Sequence, residues 1–344
     1  MSTVYGERWK RGESLGEGGQ SRVFRVRDLQ TAGHECALKH LKDDRRVARL
    51  ESEMAALARI SHPNVVQLVD YHVSGKPPYY LVMELLEGGT LRDHVEECKG
   101  DIIRSLDLFC AICDGVRAAH EQVPPIIHRD IKPGNILFRQ LDGEPVVTDF
   151  GLCWIDKGQR FTASHERVGT FGYMAPELED GRLEQPTAQC DVYSLGKLLY
   201  YVVSGGTDFN REKHREPHYD LRKTFEGWGL STVRNIQMEY VSELLDHMIV
   251  HDPTQRFGSV ADVRAAAEIV RRLVTEEHYP FADHMPCKFC GQGTYRPHGR
   301  RPTSLDTHDR SGVLVAMFEC SNCGHLQLFS WHAFERDTKR TQVA

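Results

Sequence analysis

Three groups of side chains in this 344-residue chain have types and spacings suited to chemistry. The first is Gly16-Glu17-Gly18-Gly19-Gln20-Ser21-Arg22-Val23, followed by Lys39 in Ala37-Leu38-Lys39 and by Glu53. Glycines let a backbone approach phosphate oxygens and aim its N–H groups at them. A strand lysine held by a carboxylate from the next helix is a cation that can rest on those phosphates. Alone, a G-x-G run arises as readily in an ordinary hairpin. The second group is His128-Arg129-Asp130-Ile131-Lys132-Pro133-Gly134-Asn135, then Asp149-Phe150-Gly151, then Ala175-Pro176-Glu177. Any one of these aspartates, taken singly, is a turn or capping residue. The third is a pair of C-x-x-C-G knuckles, Cys287-Lys288-Phe289-Cys290-Gly291 and Cys320-Ser321-Asn322-Cys323-Gly324. Four thiolates at ~2.3 Å make a closed tetrahedral Zn²⁺ site; an iron centre uses similar ligands, and His298 and His325 are substitute ligands or solvated loop residues.

These groups need elements to position them. From Trp9 to Met83 the chain alternates short β-rich runs, among them SRVFRVRD and ECALKHL, with one helical stretch near Val47 to Ile60. From Thr90 to about Thr275 most segments have apolar residues three and four apart, as helices require. The paired glycines of MELLEGGT lie between the two regions. After Val274 a polar, proline-bearing stretch leads into the cysteine pairs, and a boundary is expected near residue 279. The run VLVAMFEC reads as a strand entering the second knuckle and HLQLFSW as one leaving it.

Composition narrows the class. Hydrophobic residues at 40% and charged residues at 27% are globular values. A net charge of -6 gives no general attraction to nucleic acid or anionic lipid. No apolar run is long enough to span a bilayer, and the first residues lack a signal-peptide core, so a soluble cytoplasmic protein with no membrane partner is expected. Ten cysteines are too few for a disulfide scaffold, which points the two knuckles to metal. Cys110 and Cys113, a further C-x-x-C within a helical stretch, read as buried packing.

In their order and spacing, the glycine-rich loop, Lys39, Glu53, the 128–135 run, Asp149-Phe150-Gly151 and Ala175-Pro176-Glu177 resemble the motifs of eukaryotic-type Ser/Thr protein kinases, over roughly residues 9 to 278. The resemblance implies an α+β, bilobal protein kinase fold: a small β-rich N-lobe (1–84) and a larger helical C-lobe (85–278). The two knuckles with the strands about the second make residues 279–344 look like a separate, small zinc ribbon. The kinase resemblance also implies phosphoryl transfer from ATP, with Mg²⁺ or Mn²⁺, to protein hydroxyls. That reaction spreads negative charge over equatorial oxygens, so it needs cations and placed donors. Lys39, oriented by Glu53, would supply one cation. Asp149 and Asn135 would hold the divalent ions. Asp130 would take or orient the hydroxyl proton, and Lys132 would reach the transferred phosphate. Gly16 and Gly18 would lie over the phosphates; Leu15, Val23, Ala37 and Leu137 would sandwich the adenine, Met83 would gate the back of its pocket, and Glu84 to Glu87 would form the hinge. Asp191 and Arg256 would be structural, the first holding the catalytic loop and the second pairing with Glu177. Ser21 stands where the third loop glycine is usual. The Gly169-Thr170 and Ala175-Pro176-Glu177 segments form a peptide shelf in this family, which favours a protein substrate over a small molecule, and Lys132 with Thr170 favours Ser/Thr over Tyr.

Arg129 has no sequence-local partner, and Thr162 and, second to it, Ser164 lie where the family places activating phosphates; a phosphate there would add about -1.5 to -2 charge. In residues 279–344, eight Lys and Arg stand against six Asp and Glu. The cluster Arg296, Arg300 and Arg301 could touch nucleic acid, although protein docking, structural bracing and solvation explain it as well. The alternative to an enzyme is a kinase-like scaffold whose ribbon recruits a protein or nucleic-acid partner.

Overall fold

The computed structural model describes residues 3–31, 33–139, 143–155, 172–179, 185–209 and 235–275, and the strand segments 295–297, 303–305, 313–320 and 326–330. Thr162, Ser164, Gly169, Thr170, Cys287, Cys290 and Cys323 lie outside them. The chain divides into two units, Met1–Arg272 and Leu273–Ala344. The division falls slightly before the boundary expected at 278/279.

Six antiparallel strands open the first unit: β1 (Val4–Tyr5), β2 (Trp9–Glu17), β3 (Ser21–Asp28), β4 (Glu35–Leu41), β5 (Leu68–His72) and β6 (Tyr80–Glu84), in the order β1-β2-β3-β4-β6-β5. Along β3 the buried Phe24, Val26 and Asp28 alternate with Arg25 and Arg27, the period of a half-buried strand. One face gathers Tyr5, Trp9, Phe24, Val26, Cys36, Leu38, Tyr80 and Val82. A second cluster joins Leu41, Val73 and Leu81 to Leu50 of helix α1 (Val47–Leu57), with Met54 packed against it. This contact carries Glu53, one residue from Met54, under the sheet.

Beyond β6 come α2 (Leu91–His94), α3 (Ile102–His120), β7 (Ile126–Ile127), β8 (Ile136–Phe138), β9 (Pro145–Val147), β10 (Trp154–Ile155), α4 (Pro176–Glu179), α5 (Ala188–Val203), α6 (Asn235–Asp246) and α7 (Val260–Thr275). Asp101 starts α3 by accepting from the Arg104 N–H, satisfying one of the donors a helix end leaves open. Fourteen consecutive residues of α5, Cys190 to Val203, are buried, so this helix is apolar nearly all round and forms the centre of the lobe. Cys110 and Cys113 are buried on α3, and burial pushes both thiols upward, as inert packing cysteines require. No helix among the described residues is long and apolar enough to cross a membrane.

The second unit has four strands: β11 (Tyr295–Pro297), β12 (Thr303–Leu305), β13 (Val313–Cys320) and β14 (Leu326–Ser330). Strand β13 pairs antiparallel with β11 and β12 along one edge and with β14 along the other. Cys320, its last residue, is in register with Tyr295.

Candidate active site

The glycine-rich run is the turn from β2 into β3, closed by the Gly18 N–H on Ser21 O at 2.9 Å. The fold does not itself require these glycines: none has a positive φ, an added Cβ would meet nothing at Gly16 or Gly19, and at Gly18 only Ser21 O at 3.9 Å. Their smallness leaves open space beside the loop. Pairing of β3 with β4 sets Val23 opposite Lys39, and pairing of β4 with β6 sets Ala37 opposite Met83. Leu137, on β8, is tied to the segment after Glu87 by a bridge to Thr90. The Glu84 N–H is spent within the sheet on Gln67 O at 3.0 Å.

Below this lies a three-way ion cluster. Lys39 Nζ donates to both carboxylate oxygens of Glu53, at 2.6 and 2.7 Å, and to Asp149 Oδ1 at 2.8 Å. Burial alone would pull the Lys39 ammonium down, but the two carboxylates override it and raise it. Asp149 drops to about 2, chiefly through the charge of Lys39. Glu53 rises because burial outweighs its share of that ammonium. Two carboxylates on one ammonium leave the cluster one negative charge in excess, a setting that favours a further cation. Gly151 keeps it compact: a Cβ there would stand 3.2 Å from Asp149 Oδ1 and 3.3 Å from Glu53 Oε2.

The 128–135 run makes a second cluster. Asp130 Oδ2 accepts from Lys132 Nζ at 2.6 Å and from Asn135 Nδ2 at 3.0 Å. Asn135 Nδ2 also donates to Asp130 O, so the amide's donors face Asp130 and its carbonyl oxygen is what it can offer a metal. Asp191, fully buried on α5, accepts from the N–H groups of His128 and Arg129, each at 2.8 Å, and so fixes the loop by its main chain. Arg129 and Asp149 have φ of 67° and 62°, a region non-glycine residues rarely occupy, and both flank the cluster. The Arg129 guanidinium is pulled down by burial, and among the described residues it has no hydrogen-bond or ion-pair partner.

A protein kinase domain model matches residues 9–271, most of the first unit. The chain belongs to the protein kinase domain family. PkaA of Streptomyces coelicolor, a serine/threonine-protein kinase, is 36% identical over 216 residues, 57% of this chain and 39% of the relative. A probable serine/threonine-protein kinase of Corynebacterium efficiens is 30% identical over 79% of this chain and 42% of its own length. Calcium/calmodulin-dependent protein kinase type 1B of Rattus norvegicus is 33% identical over 75% of this chain and 73% of its own. This kinase domain thus spans less than half the length of the two bacterial relatives. ATP with Mg²⁺ or Mn²⁺ is what membership of the family implies, and the oxygens of Asp149 and Asn135 fit such ions.

Several supports of the site escaped sequence reasoning. His120, at the end of α3, bonds Asp191 Oδ2 through Nε2 at 2.8 Å. Arg139, beyond β8, clasps the Glu84 carboxylate at 2.9 and 3.1 Å, and Arg25 on β3 reaches Glu87 at 2.6 Å, so both acids of the 84–87 segment are tied down. Lys42 donates to Gly18 O at 2.7 Å and braces the glycine-rich turn. Only Lys42 had a local signal, a basic residue at the end of the strand beside the loop.

Proposed function

We propose that this protein transfers the γ-phosphoryl group of ATP to Ser or Thr hydroxyls of proteins. The observation that carries the reading is the meeting of Lys39, Glu53 and Asp149, from three separate stretches of the chain, in one cluster, beside the cluster that Asp130, Lys132 and Asn135 form within a single loop. In this reading Lys39 holds the nucleotide phosphates. With Oδ2 of Asp130 occupied by Lys132 and Asn135, Oδ1 takes the hydroxyl proton. The hydroxyl oxygen then forms its bond to the γ-phosphorus as the bond to the bridging oxygen breaks and ADP leaves. Lys132 is placed to neutralise charge on the group in transit, and Asp149 and Asn135 would hold divalent ions, which would supply charge neutralisation at the phosphates. The test is label transfer from γ-labelled ATP to a generic basic protein. Loss of transfer in both Asp130→Ala and Asp149→Ala is expected. Transfer that survives either change overturns the reading, and a cellular role surviving both would favour the scaffold.

Two finer readings accompany it. Phosphorylation of Thr162, or secondarily Ser164, would give the buried Arg129 guanidinium its counter-charge. Intact mass should show a phosphate on wild type that the Asp130→Ala protein lacks. Cys287, Cys290, Cys320 and Cys323 would hold one structural Zn²⁺. Supporting this, Cys320 is in register with Tyr295, which follows Cys290 by five residues, so the chain lengths allow both knuckles to meet at one end of the sheet. Elemental analysis should find about one zinc per chain, reduced in Cys320→Ser. The ribbon would brace or dock a protein, with nucleic acid a lesser alternative.

A further inference from the structure

One buried cation plays no part in the chemistry set out above. Lys197, in the interior run of α5, is 1% exposed. An ammonium is expensive to bury unless its surroundings repay it. Here its Nζ lies 5.9 Å from the ring centroid of Tyr173, 5.7 Å from Tyr193 and 5.4 Å from Phe209. All three are within the ~6 Å over which a ring face attracts a cation. The rings come from separate stretches: Tyr193 from one turn earlier on α5, Phe209 from beyond its end, and Tyr173 from the segment between Gly169-Thr170 and Ala175-Pro176-Glu177.

Tyr173 is held at two further points. Its carbonyl accepts from Ser194 Oγ at 2.8 Å, and its hydroxyl donates to Asp208 Oδ1 at 2.7 Å. Ser194 and Lys197 are three apart on α5 and therefore neighbours on its surface. One strip of this helix thus grips the segment by main chain and by ring. The rest of the cage is rigid too, for Phe209 is buried and packs edge-on against Tyr200 at 5.1 Å. An apolar side chain of the same length would fill the volume without the cost of a buried charge. What it would not supply is a force that depends on ring orientation, since a cation is drawn to the face of a ring and not to its edge.

We infer that Lys197 is a positioning residue for the protein substrate: its ammonium, caged by Tyr173, Tyr193 and Phe209, fixes residues 172–177. The inference rests on the kinase reading, in which that segment is the shelf the peptide lies on. Lys197 acts through Tyr173 and touches no reacting group. Its removal should therefore weaken capture of the protein substrate and leave nucleotide binding alone.

Lys197→Met keeps length and removes charge; Lys197→Arg restores charge. In the full chain, with a generic basic protein as acceptor, Lys197→Met should raise the KM for that protein by about thirtyfold, the scale of one desolvated cation–π contact. The KM for ATP should stay within about twofold, a margin far below one such contact, and Lys197→Arg should recover part of the loss. Amide exchange in the 172–177 peptide should quicken in Lys197→Met, while exchange around Lys39 and Glu53 should not. An unchanged protein KM, or a parallel rise in both KM values, overturns the inference, as does unaltered exchange in 172–177. Should Lys197→Met fail to fold, Phe209→Leu opens the cage from its other side and must give the same split. A wild-type chain that labels no protein would sink the kinase reading instead, and the exchange measurement would still decide the role of Lys197.

Discussion

Breaking the Glu177–Arg256 pair should unfold the first unit in a graded way. Arg256 has five N–H donors, and all five have acceptors. Nε meets Val250 O at 2.8 Å, Nη1 meets Glu177 Oε1 at 2.6 Å and Gln189 O at 2.8 Å, and Nη2 meets Glu177 Oε2 at 2.8 Å and His251 O at 3.1 Å. The guanidinium also lies 4.9 Å from the Tyr193 centroid. Arg256 is 6% and Glu177 9% exposed, so little water can replace either partner. Removing one member of such a pair costs about 3–5 kcal/mol. Glu177→Ala strands a cation that keeps three carbonyls, whereas Arg256→Leu strands a carboxylate and three carbonyls together, each unmet carbonyl costing about 1–3 kcal/mol at full desolvation. Arg256→Leu should therefore be the worse change. At about 2 °C per kcal/mol for a unit of this size, Glu177→Ala should lower the melting temperature by roughly 6–10 °C and Arg256→Leu by more. The double variant Glu177→Leu with Arg256→Leu leaves no lone charge and should lose less than the sum, by about 1–3 kcal/mol. Scanning calorimetry of the full chain, read on the transition of the first unit, supplies the comparison. Additive losses, or a milder Arg256→Leu, would contradict this account of the pair.

The same pair carries a pH signature: burial pushes the Glu177 carboxyl up, yet its hydrogen bonds to Arg256 win and hold it below the usual range. A depressed carboxyl stabilises above its unfolded value of about 4.3 and loses that contribution as pH falls through the lower folded value, so the melting gap between wild type and Glu177→Gln should close below about pH 4. Asp149, set at about 2 by Lys39, follows the same sign over a lower window, and unfolding monitored in Asp149→Asn should show less acid sensitivity between about pH 4 and 2. Gly115→Ala on α3 pits helix propensity, worth about 1 kcal/mol in favour, against a Cβ placed 2.4 Å from Asn64 O. The backbone clash should win by about 1–3 kcal/mol, and a raised denaturation midpoint would contradict it. Gly151→Ala should lower phosphoryl transfer while leaving the melting temperature within a few degrees, because its Cβ crowds the Asp149 and Glu53 carboxylates and not the core.

The strands at 21–28 and 35–41 were legible because alternation along β3 and the short apolar run Cys36-Ala37-Leu38 in β4 are local signals, and α1 was legible from its periodicity. The reacting side chains were legible because phosphoryl transfer tolerates few substitutions among its cations and metal ligands. Their supports were legible only in part. The Glu177–Arg256 pair followed from the resemblance and is present, but His120 with Asp191 and Glu84 with Arg139 are joined across 71 and 55 residues, and nothing near either partner announces the other. Lys197 did leave a trace, as the lone charge in the run from Leu195 to Val203, but an isolated lysine in an apolar helix does not say which rings will surround it.

The sequence by itself determined which atoms could handle phosphate and which residues would be strand or helix, since both follow from side-chain chemistry and short-range period. Only the tertiary structure decided that Lys39 is shared between two carboxylates and that Asp130 has one oxygen spoken for. It also decided that a buried lysine sits among three rings. Those facts depend on distances between distant segments, which are set by how the sheet and the interior helix pack and cannot be written into any local stretch of chain.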